Sequence, residues 1–367
     1  MSLTKNLEEL LRFLKGLTPK KEASIVVMPD FFLDRLVAYD GNLAHFSKAM
    51  TEIAERKGGS IHGIKHLELR GGNAANTAAA LATLGAKVCP IIDTSLLGFH
   101  LLKFYLDPLG VDLSHVKTGG KMSLTTAVEL AHQGERVNIM MSDLGSLPEF
   151  GFDLLTSRDF KVLREADYVC IFNWAGTRRW GTKLAKKVFD YVKKDGKGKT
   201  YYDTSDPNPR KGEVPRLVKE VLLEKLVDIF SVNENEAFCY ASQLDGKLDS
   251  LRKKMKLGKL TKECATVLAR SLSARVDLHT TTFAGSFTKN SETTVPAFKV
   301  TVLRTTGAGD AWNAGNLFGD ALGLPDRCRL TLAHAVAAYY VSSPNGEHPT
   351  LSEVTDFCSE QLLKTKG

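Results

Sequence analysis

The sequence predicts an α/β protein: a mostly parallel central sheet covered by helices on both faces, with a small β-sheet lid. Three observations carry this reading. Between residues 167 and 303, short apolar runs alternate with amphipathic stretches, the order that builds parallel sheets through crossover helices. The 367 residues are 43% hydrophobic and 25% charged, which suits one large domain, or one with a smaller appendage, folding on an apolar core without disulfides or metals. Polar clusters bearing Gly or Asn fall where strands give way to helices, the place where open α/β sheets gather ligands.

Composition narrows the function classes. Six cysteines stand at 89, 170, 239, 264, 328 and 358, with no CxxC spacing and no zinc-like His pattern. They read as small core residues in a reducing compartment. The opening "MSLTKNLEELLRFLKGLTPKK" has acidic residues among its apolar positions and no small-residue cleavage site, so it reads as an amphipathic surface helix rather than a signal peptide. No apolar run reaches the roughly 18 residues needed to span a bilayer. The expected location is cytoplasmic, with no membrane partner. The net charge of +7 sits in segments such as "KKVFDYVKKDGKGK" without aromatic stacking platforms, so nucleic acid is not an expected partner. A mild positive field does favour small polyanions such as nucleotides.

The elements follow in chain order. "ASIVVMP" (23–29) is a buried strand ended by a proline, and "LDRLVAYDG" continues extended to a glycine. "HFSKAMTEIAERKGG" is a polar helix closed by two glycines, and "SIHGIKHLELRGG" alternates as a half-exposed strand. Ala-rich "NAANTAAALATLGAKV" is a helix with Gly85 near its end, and "VCPIID" a strand. From "GVDLSHVKTGG" through "SLTTAVELAHQGERVNIMM" the pattern is hairpin-like around Gly134. These strands need a partner sheet from residues 35–70, giving the small lid, and a partner's lid in a homodimer is the expected cover for its apolar face. Strands "DYVCIF" (167–172), "KTYYDT" (199–204), "DIFSV" (228–232) and "RVDLHTTT" then alternate with helices "GTKLAKKVFDYVKK", "PRLVKEVLLEKL", "NENEAFCYASQL" and "TKECATVLARSLSA". A hairpin strand "AFKVTVL" (297–303) leads into "RTTGAGDAWNAGNLFGDALG".

Three clusters carry chemistry. In Gly307-Ala308-Gly309-Asp310, the free amides of a helix start and the helix dipole suit an oxyanion, and glycines let the backbone approach it. Asp310 would repel phosphate, but it suits a base taking a proton from a hydroxyl while the amides hold a transferring phosphoryl. The competing reading is a Gly-rich turn with an Asp cap. In "RGGNAANTAAA", Gly71, Gly72, Asn73 and Asn76 do not form GxGxxG or open the first strand–helix unit, which speaks against a dinucleotide fold. The two Asn side chains suit sugar hydroxyls, or else a helix cap before an Ala packing face. In "SVNENEA", Asn233 and Glu236 follow a buried strand, placed either to orient Mg2+-bound water near a nucleotide phosphate or to cap a helix.

In the order "GGNxxN", "NxxE" and "TTGAGDxW", with Asp34 placed just after the first strand, the clusters resemble the ribokinase-like (PfkB) family of carbohydrate kinases over roughly residues 23–356. The resemblance implies an N-terminal helical extension over 1–22 and a kinase domain over 23–367, with a β lid built from about 35–70 and 110–145. It implies Asp310 as catalytic base, Gly307, Ala308 and Gly309 as anion hole, and Asp34, Gly71, Gly72, Asn73 and Asn76 at sugar hydroxyls. Asn233 and Glu236 match the family's magnesium- and phosphate-associated motif, with Glu236 acting on Mg2+ through water. Asp206, Asn208 and Arg210 of "SDPNPR" fall near the phosphates or substrate, and Thr280, Gly285, His334 and Asn345 where the adenine pocket is built. Three positions depart from the pattern. Arg304 replaces an Asp that commonly helps hold a monovalent cation, which speaks against such a cation. The nucleotide loop has Thr282 where a Gly is usual, and Trp312 replaces a Phe. The implied activity is ATP- and Mg2+-dependent phosphorylation of a hydroxyl on a small carbohydrate; a nucleoside kinase of the same fold and a non-catalytic sugar- or nucleotide-binding relic are the alternatives.

Overall fold

The computed structural model describes residues 2–16, 22–252 and 254–366. Twelve strands among these residues form two sheets. The large sheet contains β1 (Ser24–Met28), β4 (Lys87–Pro90), β7 (Tyr168–Ile171), β8 (Lys199–Asp203), β9 (Ile229–Val232), β10 (Arg275–His279), β11 (Phe283–Phe287) and β12 (Glu292–Pro296). The small sheet contains β2 (Phe32–Asn42), β3 (Lys65–Gly71), β5 (Ser123–His132) and β6 (Glu135–Asp143).

The large sheet runs in the order β12-β11-β10-β9-β8-β7-β1-β4. Its strands from β4 to β10 are parallel, and β11 and β12 add an antiparallel hairpin at one edge. Strands buried on both faces read as continuous apolar runs, and here they feed two cores by period two. Val26 and Met28 of β1 join one cluster with Trp174, Phe189 and Phe230, while Ile25 and Val27 join the other with Tyr201 and Ala314. Helix α1 (Leu3–Lys15) is amphipathic as expected, but its apolar stripe is not on the surface. Leu7, Leu10, Leu11 and Leu14 are buried in the second core, packed on helices Asp326–Ser342 and Leu351–Lys366. Residues 17–21 of the expected extension lie outside the described residues. Among the described residues no helix is long and apolar enough to cross a membrane.

The small sheet has the order β3-β2-β5-β6. Residues 133 and 134 close the β5–β6 hairpin with positive φ at Gln133 and Gly134, the two-residue turn whose twist matches its strands. One face of this sheet buries Val37, Val128 and Leu130 against Leu43 and Phe46 of α2 (Leu43–Glu55). The chain thus covers from within part of the face for which the sequence suggested a partner's lid. Strands occupy only 123–143 of the 110–145 segment; the part before them is loop with a 3-10 turn at Leu113–His115.

Two further differences have physical causes. Residues 297–303 form no strand: Phe298 anchors in the core, but Val302 and Leu303 stay 56% and 55% exposed with no ladder partner among the described residues. The apolar alternation there reports a chain crossing the body's surface, and the hairpin at this edge is β11–β12. Helices Leu96–Leu106 and Ser157–Glu165 fall where no element is predicted, the second closed by a capping box of Thr156 and Asp159.

Candidate functional site

The site is built around the start of helix Ala308–Ala321. Its cap, Gly307, has φ +85° and no side-chain hydrogen bond, and a methyl group there would come within 2.5 Å of the Tyr340 hydroxyl. Only glycine meets both demands. Amides in a helix's first turn lack an intrahelical acceptor and carry partial positive charge. Asp310 is the third helical residue and 5% exposed, so it does not cap the helix. Its Oδ1 accepts from Asn73 Nδ2 at 2.7 Å and its Oδ2 from Asn76 Nδ2 at 2.9 Å. Burial pushes the Asp310 carboxyl up to about 7; the two amide donors pull it down, while the nearby carboxylates of Asp203 and Asp30 push it up.

Asn73 and Asn76 come from the first turn of α3 (Asn73–Leu84), three residues apart and therefore on one face. Asn73 Oδ1 accepts from Ser205 Oγ at 2.9 Å, and Asn76 Oδ1 from Arg70 Nε at 3.2 Å. The two Asn expected at sugar hydroxyls thus hold the Asp310 carboxylate. Nor do they cap α3: that role falls to Asp30, whose oxygens accept from the amides of Asn73 (2.9 Å) and Ala74 (2.8 Å) and from Asn173 Nδ2 (2.8 Å). Asp30 did not figure in the sequence reading, although a carboxylate directly past the first strand in "VVMPDFF" is a visible signal. Gly72 has φ +92°, and a Cβ there would lie 2.9 Å from the Phe31 Cα, so the chain needs glycine to bring α3 against this cap.

A cleft of about 600 Å³ separates the small sheet from loop 302–306. Residues of one sheet face line it, among them Asp34, Leu36, Leu69, Thr125 and Met140, and Arg70, Asn76, Arg304 and Tyr340 line its other side. Asp34 is the third residue of β2 rather than a residue at the end of the first strand. Burial pushes its carboxyl up to about 6, with a hydrogen bond from Thr125 opposing. Gly71 leaves the space that this carboxylate fills. Arg304 donates to the Pro344 carbonyl at 2.7 Å, packs over Gly346 and lies beside the Tyr340 hydroxyl, so it does not point to solvent. Asn345, in the same loop, is exposed.

The expected nucleotide-side residues divide. Asn233 and Glu236 form a capping box on helix Glu234–Ala241: Asn233 Oδ1 accepts from the Glu236 amide at 3.0 Å, and Glu236 Oε2 accepts from the Asn233 amide at 2.9 Å. Glu236 is buried beside Asp203; burial and the Asp203 charge push its carboxyl well up, and neither residue forms an ion pair among the described residues. Two buried, uncompensated carboxylates with Asp206 nearby are a donor set that fits a hydrated divalent cation. Asp206 closes a turn by accepting from the Asn208 amide at 3.0 Å. Arg210 must be corrected, because all five of its N–H groups are used within the protein. Nε and one Nη2 N–H reach Glu213, and the other three donate to the carbonyls of Trp174, Thr177 and Arg178, with the guanidinium 4.1 Å from the Trp174 ring centroid. No donor remains for a phosphate.

Thr280 closes the β10–β11 turn, its hydroxyl accepting from the Phe283 amide at 2.9 Å. Gly285 lies under the Phe287 ring, which a Cβ would strike. His334 is buried near His279, and His279 stacks on Trp312 at 4.9 Å; burial pushes the two imidazoles down to about 3 and about 4, so both are neutral. Their Nε2 atoms and Trp312 Nε1 are buried without hydrogen-bond partners among the described residues.

Comparison with known proteins agrees with this architecture. The profile described as pfkB family carbohydrate kinase matches residues 42–353. Ribokinase from Arabidopsis thaliana, solved with ribose and ATP, superposes with a TM-score of 0.67 at 18% identity, over 92% of this chain and 99% of its own. Ribokinase from Cryptococcus neoformans, solved with ADP, gives 0.69 at 15% identity over 91% and 99%. Adenosine kinase from Sinorhizobium meliloti gives 0.66 at 18% identity over 93% and 100%. No curated protein matches the sequence.

Proposed function

The chain belongs to the pfkB family of carbohydrate kinases, and from that premise we propose that it transfers the γ-phosphoryl group of ATP to a hydroxyl of a small carbohydrate, with Asp310 as the general base. The observation that carries the proposal is the buried Asp310 carboxylate, gripped by two amide donors at a helix start and set behind Asn76 on the cleft wall. A carboxyl near 7 is half ionised at neutral pH, which suits a group that must accept a proton and give it back.

In the proposed reaction the acceptor hydroxyl passes its proton to Asp310 as its oxygen attacks the γ-phosphorus. The bond from that phosphorus to the bridging oxygen breaks, and ADP leaves with that oxygen. The amides of Gly307, Gly309 and Asp310 would face the charge that develops on the transferring group, where preorganised donors act at no cost in reorganisation, whereas the Ala308 amide is engaged by the Thr305 carbonyl at 3.2 Å. Asn73 and Asn76 keep both carboxylate oxygens aimed, and Asp34 accepts hydrogen bonds from acceptor hydroxyls. Glu236 and Asp203 would hold Mg2+ through water, and the ion would supply charge neutralisation at the nucleotide phosphates. Helix α2 covers part of the apolar face of the small sheet, and the reaction as written draws on residues of one chain alone.

A panel of sugars, sugar derivatives and nucleosides, incubated with ATP and Mg2+ and followed by ADP release, tests this reading. Acceptor-dependent release that Asp310→Asn abolishes is the expected result. Binding of acceptor and ATP without release from any panel member would make the protein a non-catalytic relic.

A further inference from the structure

Two guanidinium groups line the cleft on the side opposite the sheet face: Arg70 from the end of β3 and Arg304 from the loop before helix Ala308–Ala321. Both charges bear on the phenol of Tyr340 between them. Neither arginine forms an ion pair among the described residues. Arg70 uses Nε on Asn76, and its terminal nitrogens have no hydrogen-bond acceptor among the described residues. Arg304 uses one Nη2 proton on the Pro344 carbonyl, and its Nε is buried without a partner. Gly346, with φ +67°, gives up the space of a Cβ to this guanidinium, which packs against it.

Two like charges held in one cleft without an ion-pair partner repel each other; burial pushes the Arg70 guanidinium down, and the nearby Asp310 carboxylate opposes only part of this. The carboxylates lining the cleft, Asp34 and Glu129, belong to β2 and β5 of the small sheet. Planar guanidinium groups with free parallel N–H bonds match a phosphate in bidentate fashion. Resting on the kinase reading above, we infer that the acceptor is itself a phosphomonoester of a polyhydroxylated molecule, its phosphate bridging Arg70 and Arg304 while Asp34 takes its hydroxyls. The enzyme would then make a bisphosphate.

The experiment compares matched acceptors: neutral pentoses and hexoses, their monophosphates, and the corresponding aldonic acids, each with ATP and the full chain. Charged hydrogen bonds of this kind are worth enough to favour the monophosphate in kcat/KM by about tenfold or more. Arg70→Gln and Arg304→Gln should each collapse that ratio by about tenfold, and Arg304→Lys should restore part of it. Arginines that serve the γ-phosphoryl instead would lower both rates together and leave the ratio unchanged, which overturns the inference. A preference for the neutral sugar does so too, and a preference for the aldonate overturns the phosphate assignment. If no acceptor releases ADP, the kinase reading has failed; calorimetric binding of the same monophosphates to the parent and to Arg70→Gln then decides the anion site by itself.

Discussion

Replacing Asp310 by Asn separates two consequences of one buried carboxylate. The carboxyl stands near 7 against an ordinary 3.8, and a displacement of about three units corresponds to about 4 kcal/mol. The native protein binds this proton more tightly than the unfolded chain. Stability from this source is therefore full below about pH 4, falls as pH rises, and is gone once pH passes about 7. Asn does not titrate, so the stability of the variant relative to the parent should climb across that window. Spread over the unfolding entropy of a chain of this length, about 4 kcal/mol amounts to about 5 °C of apparent Tm. The Asn amide adds a donor opposite the donors of Asn73 and Asn76, an offset that does not depend on pH, so the slope of the Tm difference between pH 5 and 8 is the quantity to read. Turnover should fall by about 10²–10⁴-fold, and the rise of parental kcat/KM through pH 7 should vanish. A variant within threefold of parental turnover, with a Tm difference flat in pH, would refute both the base and the buried charge.

Asn76→Ala removes a hydrogen bond that favours the ionised Asp310; such a bond is worth about 1.5–3 kcal/mol, so the rising limb of the pH–rate profile should move alkaline by about one unit or more, and an unmoved limb contradicts the contact. Asp34→Ala should raise the acceptor KM steeply and leave that for ATP in place; weakened ATP with unchanged acceptor would reassign the residue. At constant ionic strength against a bulky organic cation, activity should be indifferent to potassium, because the Arg304 guanidinium already holds the Pro344 carbonyl. Potassium dependence appearing in Arg304→Asp would support this, whereas severalfold activation of the parent would show an independent cation site.

The parallel body was legible because strands buried on both faces leave apolar runs that recur between helices, and "TTGAGD" and "RGGNAAN" announced themselves by glycines at strand–helix junctions. What the glycines do was less visible. Gly71 and Gly72 make room for Asp34 and for the capped α3, and that requirement appears only when the segments meet. The pairing of Asn73 and Asn76 with Asp310 joins positions more than 230 apart in the chain. Spacing within a motif carries no trace of such a partner, so side chains expected on the sugar turned out to hold the Asp310 carboxylate. Arg210 stands in a motif-like segment, yet its burial against Trp174 and three carbonyls depends on the loop after β7, remote in sequence. The false strand at 297–303 shows the limit of alternation: it records sidedness, not the presence of a neighbour.

The small sheet meets the body at four places, just before β2, just after β3, just before β5 and just after β6, all at the same end of its ladder. Attachment along one border leaves the far end of the sheet without a chain connection to the body, and Arg70 of β3 donates to Asn76 of α3 near that border. Asp30 ties α3 to the end of β1, and α3 in turn grips Asp310, so the Asp310 carboxylate is held by the body and not by the small sheet. Asp34 and the apolar groups around it belong to the small sheet. On the proposed kinase reading, acceptor choice would change through side chains of one sheet face while Asp310 and its two Asn partners, seated in the body, stay as they are.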